Sequence, residues 1–242
     1  MVNPAYCIDL YHGDDVSGAH DEGFALVKAA GIAFLDHKAS QGAEGPPDSR
    51  CAFRRSAWMD DIDIAVTDID GTVLDLKPKF GFYHFNGIGT AADEADHFMA
   101  CVKACGYEPG DDLCLDWEDI GASGYQQSAG WADEFCQRVE QWCGFPLKVY
   151  GGDAPREQIT TVSSNDVLDR FAVRRAWVCQ YGAYNPSEVP LPWRNKGHMW
   201  QDDGDSFGPG VHRIPGLIGN VDNSTVVGGM TVLQLYNSWA SA

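Results

Sequence analysis

Leu113-Cys114-Leu115-Asp116-Trp117-Glu118-Asp119 is an apolar run that ends in acid. In an extended strand, residues two apart point to the same face. Asp116 and Glu118 therefore project side by side with Cys114 behind them, while Leu113, Leu115 and Trp117 face the other way, into covering structure. Two carboxylates held close at a strand's C-terminal end cannot both ionise freely.

Around this stretch, short apolar runs alternate with amphipathic ones, the pattern of β/α units. Strands are predicted over 5–10, 33–38, 79–84, 112–117, 147–150, 175–180 and 198–201, with a late one near 218–222. Helices are predicted over 17–30, 50–59, 90–105, 122–143 and 163–171. In the 90–105 helix, Ala91, Ala95, Phe98 and Val102 recur at helical spacing, and Asp93 and Glu94 sit in the first turn, where the helix dipole favours them. After Gln180 the helices thin out and the tail reads as strands and loops. The expected fold class is α/β: an irregular TIM-like β/α barrel with about eight strands and fewer than eight helices, with 1–242 as a single catalytic domain. Barrels of this kind carry their chemistry at the C-terminal ends of the strands. Polar residues collect there: Asp9, Lys38, His84, Glu118, Tyr150, Gln180, Gln201 and Asp222.

Hydrophobic content of 44% with 21% charged residues is that of a globular chain, not a disordered one. The formal net charge of -18 repels a phosphate backbone, so no nucleic-acid partner is expected. No apolar run approaches a membrane span, so no membrane partner is expected either. The opening Met1-Val2-Asn3-Pro4-Ala5-Tyr6 lacks the basic and apolar regions of a secretory signal. The eight cysteines are scattered without a Cys-x-x-Cys pair, so no metal is expected; they read as reduced, mostly buried small hydrophobes.

Several motifs in order carry a family resemblance. They are Cys7-Ile8-Asp9-Leu10-Tyr11-His12, then Gly31-Ile32-Ala33-Phe34-Leu35-Asp36-His37-Lys38-Ala39-Ser40-Gln41-Gly42, then Gly81-Phe82-Tyr83-His84-Phe85 and Ala92-Asp93-Glu94-Ala95-Asp96-His97-Phe98. Leu115-Asp116-Trp117-Glu118-Asp119, Val149-Tyr150-Gly151, Trp177-Val178-Cys179-Gln180-Tyr181, Met199-Trp200-Gln201 and Val221-Asp222 follow. Together they resemble glycoside hydrolase family 25, the muramidases (lysozymes) of bacteriophage endolysins, bacteria and some fungi. The resemblance implies hydrolysis of the β-1,4 bond between N-acetylmuramic acid and N-acetylglucosamine in peptidoglycan, with no cofactor. It implies that Glu118 is the general acid and Asp116 its neighbour at the substrate's 2-acetamido group. Asp9 and Asp222 match the other two pocket carboxylates. Tyr83, Tyr150, Gln180 and Trp200 match groove positions, and Lys38 joins them as a substrate-binding candidate. The expected partner is the glycan strand, met by a monomer made in the cytoplasm that reaches the wall through a holin or a secretion machine.

The chain departs from the family in places. Gln41 stands where the family usually has Glu, the segment 60–76 is longer and more acidic than expected, and Asp14 and Asp15 add acid near Asp9. Burial and three neighbouring carboxylates are expected to raise the pKa of Glu118. Residues two apart on one strand have Cα atoms roughly 6.5–7 Å apart and reach in one direction. A covalent retaining pair flanks the bond from opposite sides, about 5–5.5 Å apart. Attack by the substrate's own acetamido oxygen therefore fits better than attack by Asp116.

Three rival readings compete. Val66-Thr67-Asp68-Ile69-Asp70-Gly71-Thr72 resembles the nucleophile motif of haloacid-dehalogenase-type phosphatases, with Asp68 and Asp70 in the chemical roles; the plain reading is an acidic loop or hairpin with an Asp-Gly turn. A chitinase-like pattern spans Asp111 to Glu118, with Cys114 at an Asp position. A silent wall-binding module is the non-enzyme alternative. His12, His37, His84 and His97 read as structural histidines rather than catalysts.

Overall fold

The computed structural model describes residues 5–11, 13–16, 23–121, 124–181, 183–203, 214–218 and 222–239. The elements in chain order are β1 Cys7–Leu10, β2 Asp15–Val16, α1 Gly23–Ala29, β3 Phe34–Gln41, α2 Cys51–Trp58, β4 Ile64–Thr67, β5 Val73–Leu76, β6 Lys79–Phe85, α3 Ala91–Ala104 and β7 Asp112–Asp116. They continue as α4 Ala129–Cys143, β8 Lys148–Gly151, α5 Asp153–Thr160, α6 Asn165–Val173, β9 Arg175–Cys179, β10 His198–Asp203, β11 Leu217–Ile218, β12 Asp222–Val227 and α7 Val232–Ser238. Eight strands close a barrel in the order β1-β12-β10-β9-β8-β7-β6-β3. All neighbours run parallel except β12, which is antiparallel to β1 and to β10. With seven helices among the described residues, this is the expected irregular β/α barrel. No helix is long and apolar enough to cross a membrane among those residues.

Capping sets the helix bounds. Thr90 accepts from Asp93 N–H at 3.1 Å and starts α3. Ser128 accepts from Trp131 N–H at 3.2 Å, so α4 begins at Ala129 rather than at 122. Gly144, at φ +86°, ends α4 with its N–H on the Glu140 carbonyl. Of the predicted helix over 17–30, Gly23–Ala29 is helical and 17–22 lie outside the described residues. The late strand is displaced. Leu217–Ile218 pairs with Asp15–Val16 in a side sheet, and the eighth barrel strand is Asp222–Val227. Its run Asp222-Asn223-Ser224-Thr225 looks like a loop because small polar side chains fill its inward positions. The segment over 60–76 forms a hairpin of β4 and β5. Asp68 leaves it to accept the Val232 N–H at 3.2 Å, capping α7, and Asp70 accepts the Thr72 N–H within the exposed turn. The phosphatase-like residues are thus a helix cap and a turn.

Inside the barrel the alternation of strand side chains gives layers. At the closed end Lys148 Nζ lies 2.5 Å from Asp36 Oδ2 and 3.3 Å from Asp112 Oδ2, and Arg175 pairs with Asp112. Trp239, following α7, plugs this end. Its Nε1 donates to the Phe80 carbonyl at 3.0 Å and its ring lies 4.2 Å from Lys148 Nζ. Gly81 makes the layer possible, since a Cβ there would meet Asp36 Oδ1 at 2.1 Å. Above this layer Trp177 Nε1 donates to Ser224 Oγ at 2.8 Å. On the outer face Leu113, Leu115 and Trp117 are fully buried under helices, Trp117 stacking on Phe171 of α6.

Candidate active site

At the open end, Asp9 of β1, Asp116 of β7, Glu118 and Asp222 of β12 converge on a cavity of about 90 Å³, with Tyr83, Tyr150 and Trp177 completing its wall. Asp9 and Asp222 are opposed across the β1–β12 pairing. Asp116 is the last residue of its strand and Glu118 lies just beyond it, half-buried. The cavity meets a cleft of about 650 Å³ lined by Asp119, Arg156, Gln180, Tyr181, Asn185 and Glu188 among others. Among the described residues Glu118 alone lines both. A further hollow of about 300 Å³ is lined by Lys38, Ser40, Gln41, Glu44 and Asp48, so Gln41 faces this hollow and not the central cavity.

The electrostatics differ from residue to residue. Burial pushes Asp9 well above the usual carboxylate range, and Asp222, Asp36, Asp116 and Asp14 push it further. Burial likewise lifts Asp116 well up, aided by Glu118 and Asp222 and opposed by Lys38. Glu118 is raised by burial, opposed by the neighbouring Tyr150 hydroxyl, with Asp119 adding repulsion. The expectation that three neighbouring carboxylates raise Glu118 needs correcting: burial raises it, and mutual repulsion falls more heavily on Asp9 and Asp116. Burial first, then the carboxylates, holds Tyr83 and Tyr150 well above their ordinary values, so both stay neutral. Asp116 Oδ1 and Asp9 Oδ2 are buried without a hydrogen-bond partner among the described residues. No cluster of three or more His, Cys, Asp or Glu among those residues could hold a metal ion.

Six candidates from the sequence, Asp9, Tyr83, Asp116, Glu118, Tyr150 and Asp222, come together at this cavity. Lys38 is half-buried, acts electrostatically on Asp116 and lies 5.1 Å over the Tyr11 ring. Gln180 lines the cleft, but its amide is engaged with the Asn185 backbone at 3.0 and 3.3 Å. Trp200 is not brought to the cavity. It is buried at 5% exposure against Tyr184, its Nε1 donating to the Gln180 carbonyl at 2.8 Å. The reason is parity: Met199 and Gln201 take the inward positions of β10 and Trp200 the outward one. His84 is also outward, bonded to Ser40 Oγ at 2.8 Å and Glu94 at 3.0 Å. His37 is buried on the Lys38 carbonyl and Arg54, and burial lowers it to about 4. His97 lies against Cys101, and His12 lies outside the described residues. Asp111 pairs with Arg55 at 2.8 Å, away from the cavity, which removes the first residue of the chitinase-like pattern from the site. One cavity residue was not picked out from sequence as a site residue: Trp177 in the wall, whose inward parity is the signal that could have found it. Gln201, among the polar strand ends, accepts from the wall residue Tyr150.

The model of the glycosyl hydrolases family 25 matches residues 74–211, more than half of the chain. The chain belongs to glycosyl hydrolase family 25. It is therefore a glycoside hydrolase. Its fold is similar to that of a bacterial lysozyme from Streptomyces coelicolor, at 20% identity and a TM-score of 0.66, covering 96% of this chain and 95% of that one. It is also similar to the catalytic domain of endolysin ply40 from a bacteriophage of Listeria monocytogenes, at 19% identity and a TM-score of 0.61, covering 98% and 97%. A third similar structure is the modular autolysin LytC from Streptococcus pneumoniae in complex with a synthetic peptidoglycan ligand, at 14% identity and a TM-score of 0.60, covering 92% of this chain and 46% of that one. No curated protein matches this family 25 chain by sequence.

Proposed function

We propose that the protein is a peptidoglycan muramidase, cleaving the β-1,4 bond between N-acetylmuramic acid and N-acetylglucosamine, with Glu118 as general acid. The observation that carries the reading is that Glu118 joins the narrow carboxylate cavity to the wide cleft. A sugar ring seated at the cavity, with its chain continuing along the cleft, presents the glycosidic oxygen at that junction. Family membership and the lysozyme-like neighbours support the substrate class, and the neighbour with a peptidoglycan ligand supports a glycan strand as partner.

Burial raises the pKa of Glu118, the direction an acid catalyst requires. Its proton passes to the leaving oxygen as the C1–O bond breaks. The 2-acetamido oxygen of the same sugar bonds to C1 from the other side, and Asp116, projecting from the strand below, orients the acetamido N–H. Water then opens the ring so formed, giving its proton to Glu118 and restoring the starting state, with retained configuration. Asp9 and Asp222 tune the charge of this floor, and Tyr83, Tyr150 and Trp177 shape it. Lys38 and Gln180 contact the sugars on either flank.

The test is digestion of purified peptidoglycan by the protein and by Glu118→Gln, with borohydride reduction and mass spectrometry of the muropeptides. New reduced muramic acid ends that vanish in the variant are expected. Reduced glucosamine ends would make it a glucosaminidase, and no release by either protein would point to a binding module.

A further inference from the structure

We propose that Asn86 is a positioning residue for the general acid, its carboxamide fixing the Glu118 peptide where the barrel ladder has run out. The proposal rests on Glu118 being the acid. β6 ends at Phe85, which pairs with Asp116, the last residue of β7. Glu118 lies two residues past that end. Asn86 extends the connection. Its backbone N–H donates to the Asp116 carbonyl at 3.0 Å. Its side-chain Oδ1 accepts the Glu118 N–H at 2.7 Å, and its Nδ2 donates to the Glu118 carbonyl at 3.2 Å. A carboxamide carries one acceptor and a donor pair in a plane, so asparagine can imitate the peptide that a longer β6 would have offered. Asn86 is fully buried, so water does not compete for these bonds.

The chain that carries Asn86 is itself braced. Glu94, fully buried, accepts the Gly87 and Gly89 N–H groups, each at 2.7 Å. The same carboxylate accepts from His84 Nε2, which leaves His84 Nδ1 to accept from the Ser40 hydroxyl; the tautomer follows from these partners. Gln127 Nε2 donates to the Gly87 carbonyl at 2.7 Å and Trp131 Nε1 to the Gly89 carbonyl at 2.9 Å. A Cβ at Gly87 would stand 2.6 Å from Gly42 Cα, so the two loops touch. His84 and Glu94 thus act at the acid through Asn86, from outside the barrel. With this support removed, Glu118 keeps its chemistry and loses its aim.

Leaving-group dependence tests this. Glycan fragments have a sugar alcohol as leaving group and need a well-placed acid, whereas an aryl β-glycoside of the GlcNAc–MurNAc disaccharide expels a phenolate and needs little help. Asn86→Ala should lose about 100-fold in kcat on glycan, with KM within about threefold, yet under about fivefold on the aryl glycoside. Glu118→Gln should show the same split, more strongly. Equal losses on both substrates in Asn86→Ala, beside a clear split in Glu118→Gln, would overturn the Asn86 proposal alone. No split in Glu118→Gln would remove the acid assignment and this proposal with it. Should Asn86→Ala fail to fold, Asn86→Asp decides, since it keeps the shape and the acceptor for the Glu118 N–H. It should show a smaller split in the same direction, and its new carboxyl should move the alkaline limb of kcat/KM to higher pH. An unmoved limb with no split would overturn the proposal.

Discussion

At the closed end of the barrel, Asp36 and Asp112 share Lys148, and Arg175 gives Asp112 a second cation. At the open end, Asp9, Asp116 and Glu118 crowd together with Asp222, and the cation acting on Asp116 is Lys38, itself half-buried over Tyr11. The two layers stand in the same barrel interior, and burial penalises charge in both. In the lower layer Arg175 and Lys148 together outweigh that penalty at Asp112, whose pKa falls below the usual value, whereas at Asp36, which has Lys148 alone, burial wins and the pKa rises. In the upper layer nothing outweighs it, and all three carboxyls rise. A buried carboxyl with two cations is held in its ionised form, while buried carboxyls with one cation or none are pushed toward protonation. Polarity inside the barrel does not by itself mark the site; the balance of charge does.

The largest effect expected is in activity. Glu118→Gln should lower kcat/KM on peptidoglycan about a thousandfold while leaving the melting temperature unchanged or higher, because it replaces a carboxyl whose ionisation burial penalises with a neutral amide of the same shape. A stability loss of several kcal/mol would show that Glu118 belongs with the structural charges. In the lower layer the reverse holds. Lys148→Met leaves Asp36 and Asp112 short of their shared cation and should destabilise the fold by about 3–5 kcal/mol in urea unfolding. A loss under about 1 kcal/mol would mean that the layer re-pairs without it.

The third expectation concerns pH. Asp116 has a folded pKa above its unfolded value of 3.8, so the folded state binds the extra proton and stability falls as pH rises through the folded pKa. Asp112 has the opposite sign: its contribution is present above its unfolded pKa and is lost as pH falls through the folded one. Asp116→Asn should therefore be more stable than the parent at pH 7, with the gap closing as pH falls toward about 4. Denaturant midpoints across pH would check it, and a constant gap would contradict it. The smallest effect is at Trp200. Outside the cavity, Trp200→Phe should change kcat/KM less than about threefold while lowering the melting temperature by a few degrees, as a packing change does. A tenfold rise in KM would put its ring on the sugar.

The strand carrying Asp116 was legible because its apolar outward residues and acidic inward end alternate cleanly. The barrel followed from repeated β/α spacing. What stayed hidden shares one cause: side-chain direction depends on parity counted from a known inward residue, and a sequence shows polar strand ends without saying which way they face. Hence Trp200 and His84, outward on β10 and β6, read like Gln201 and Tyr83, which point inward. Asn86 lay one residue past a recognised motif, and its role is a backbone mimicry that no periodicity signals. Trp239 plugs the closed end from a helix whose Gly- and Asn-rich surroundings looked like loop.

The most direct test is a ¹³C-carboxyl NMR titration of the free protein, assigned with the Asp116→Asn, Asp112→Asn and Glu118→Gln variants. The account predicts that Asp116 and Glu118 titrate above their ordinary 3.8 and 4.5, while Asp112 titrates below 3.8. Asp116 titrating at or below 3.8, level with Asp112, would mean that the open end is charge-paired like the closed one, and the contrast on which the catalytic reading stands would be gone.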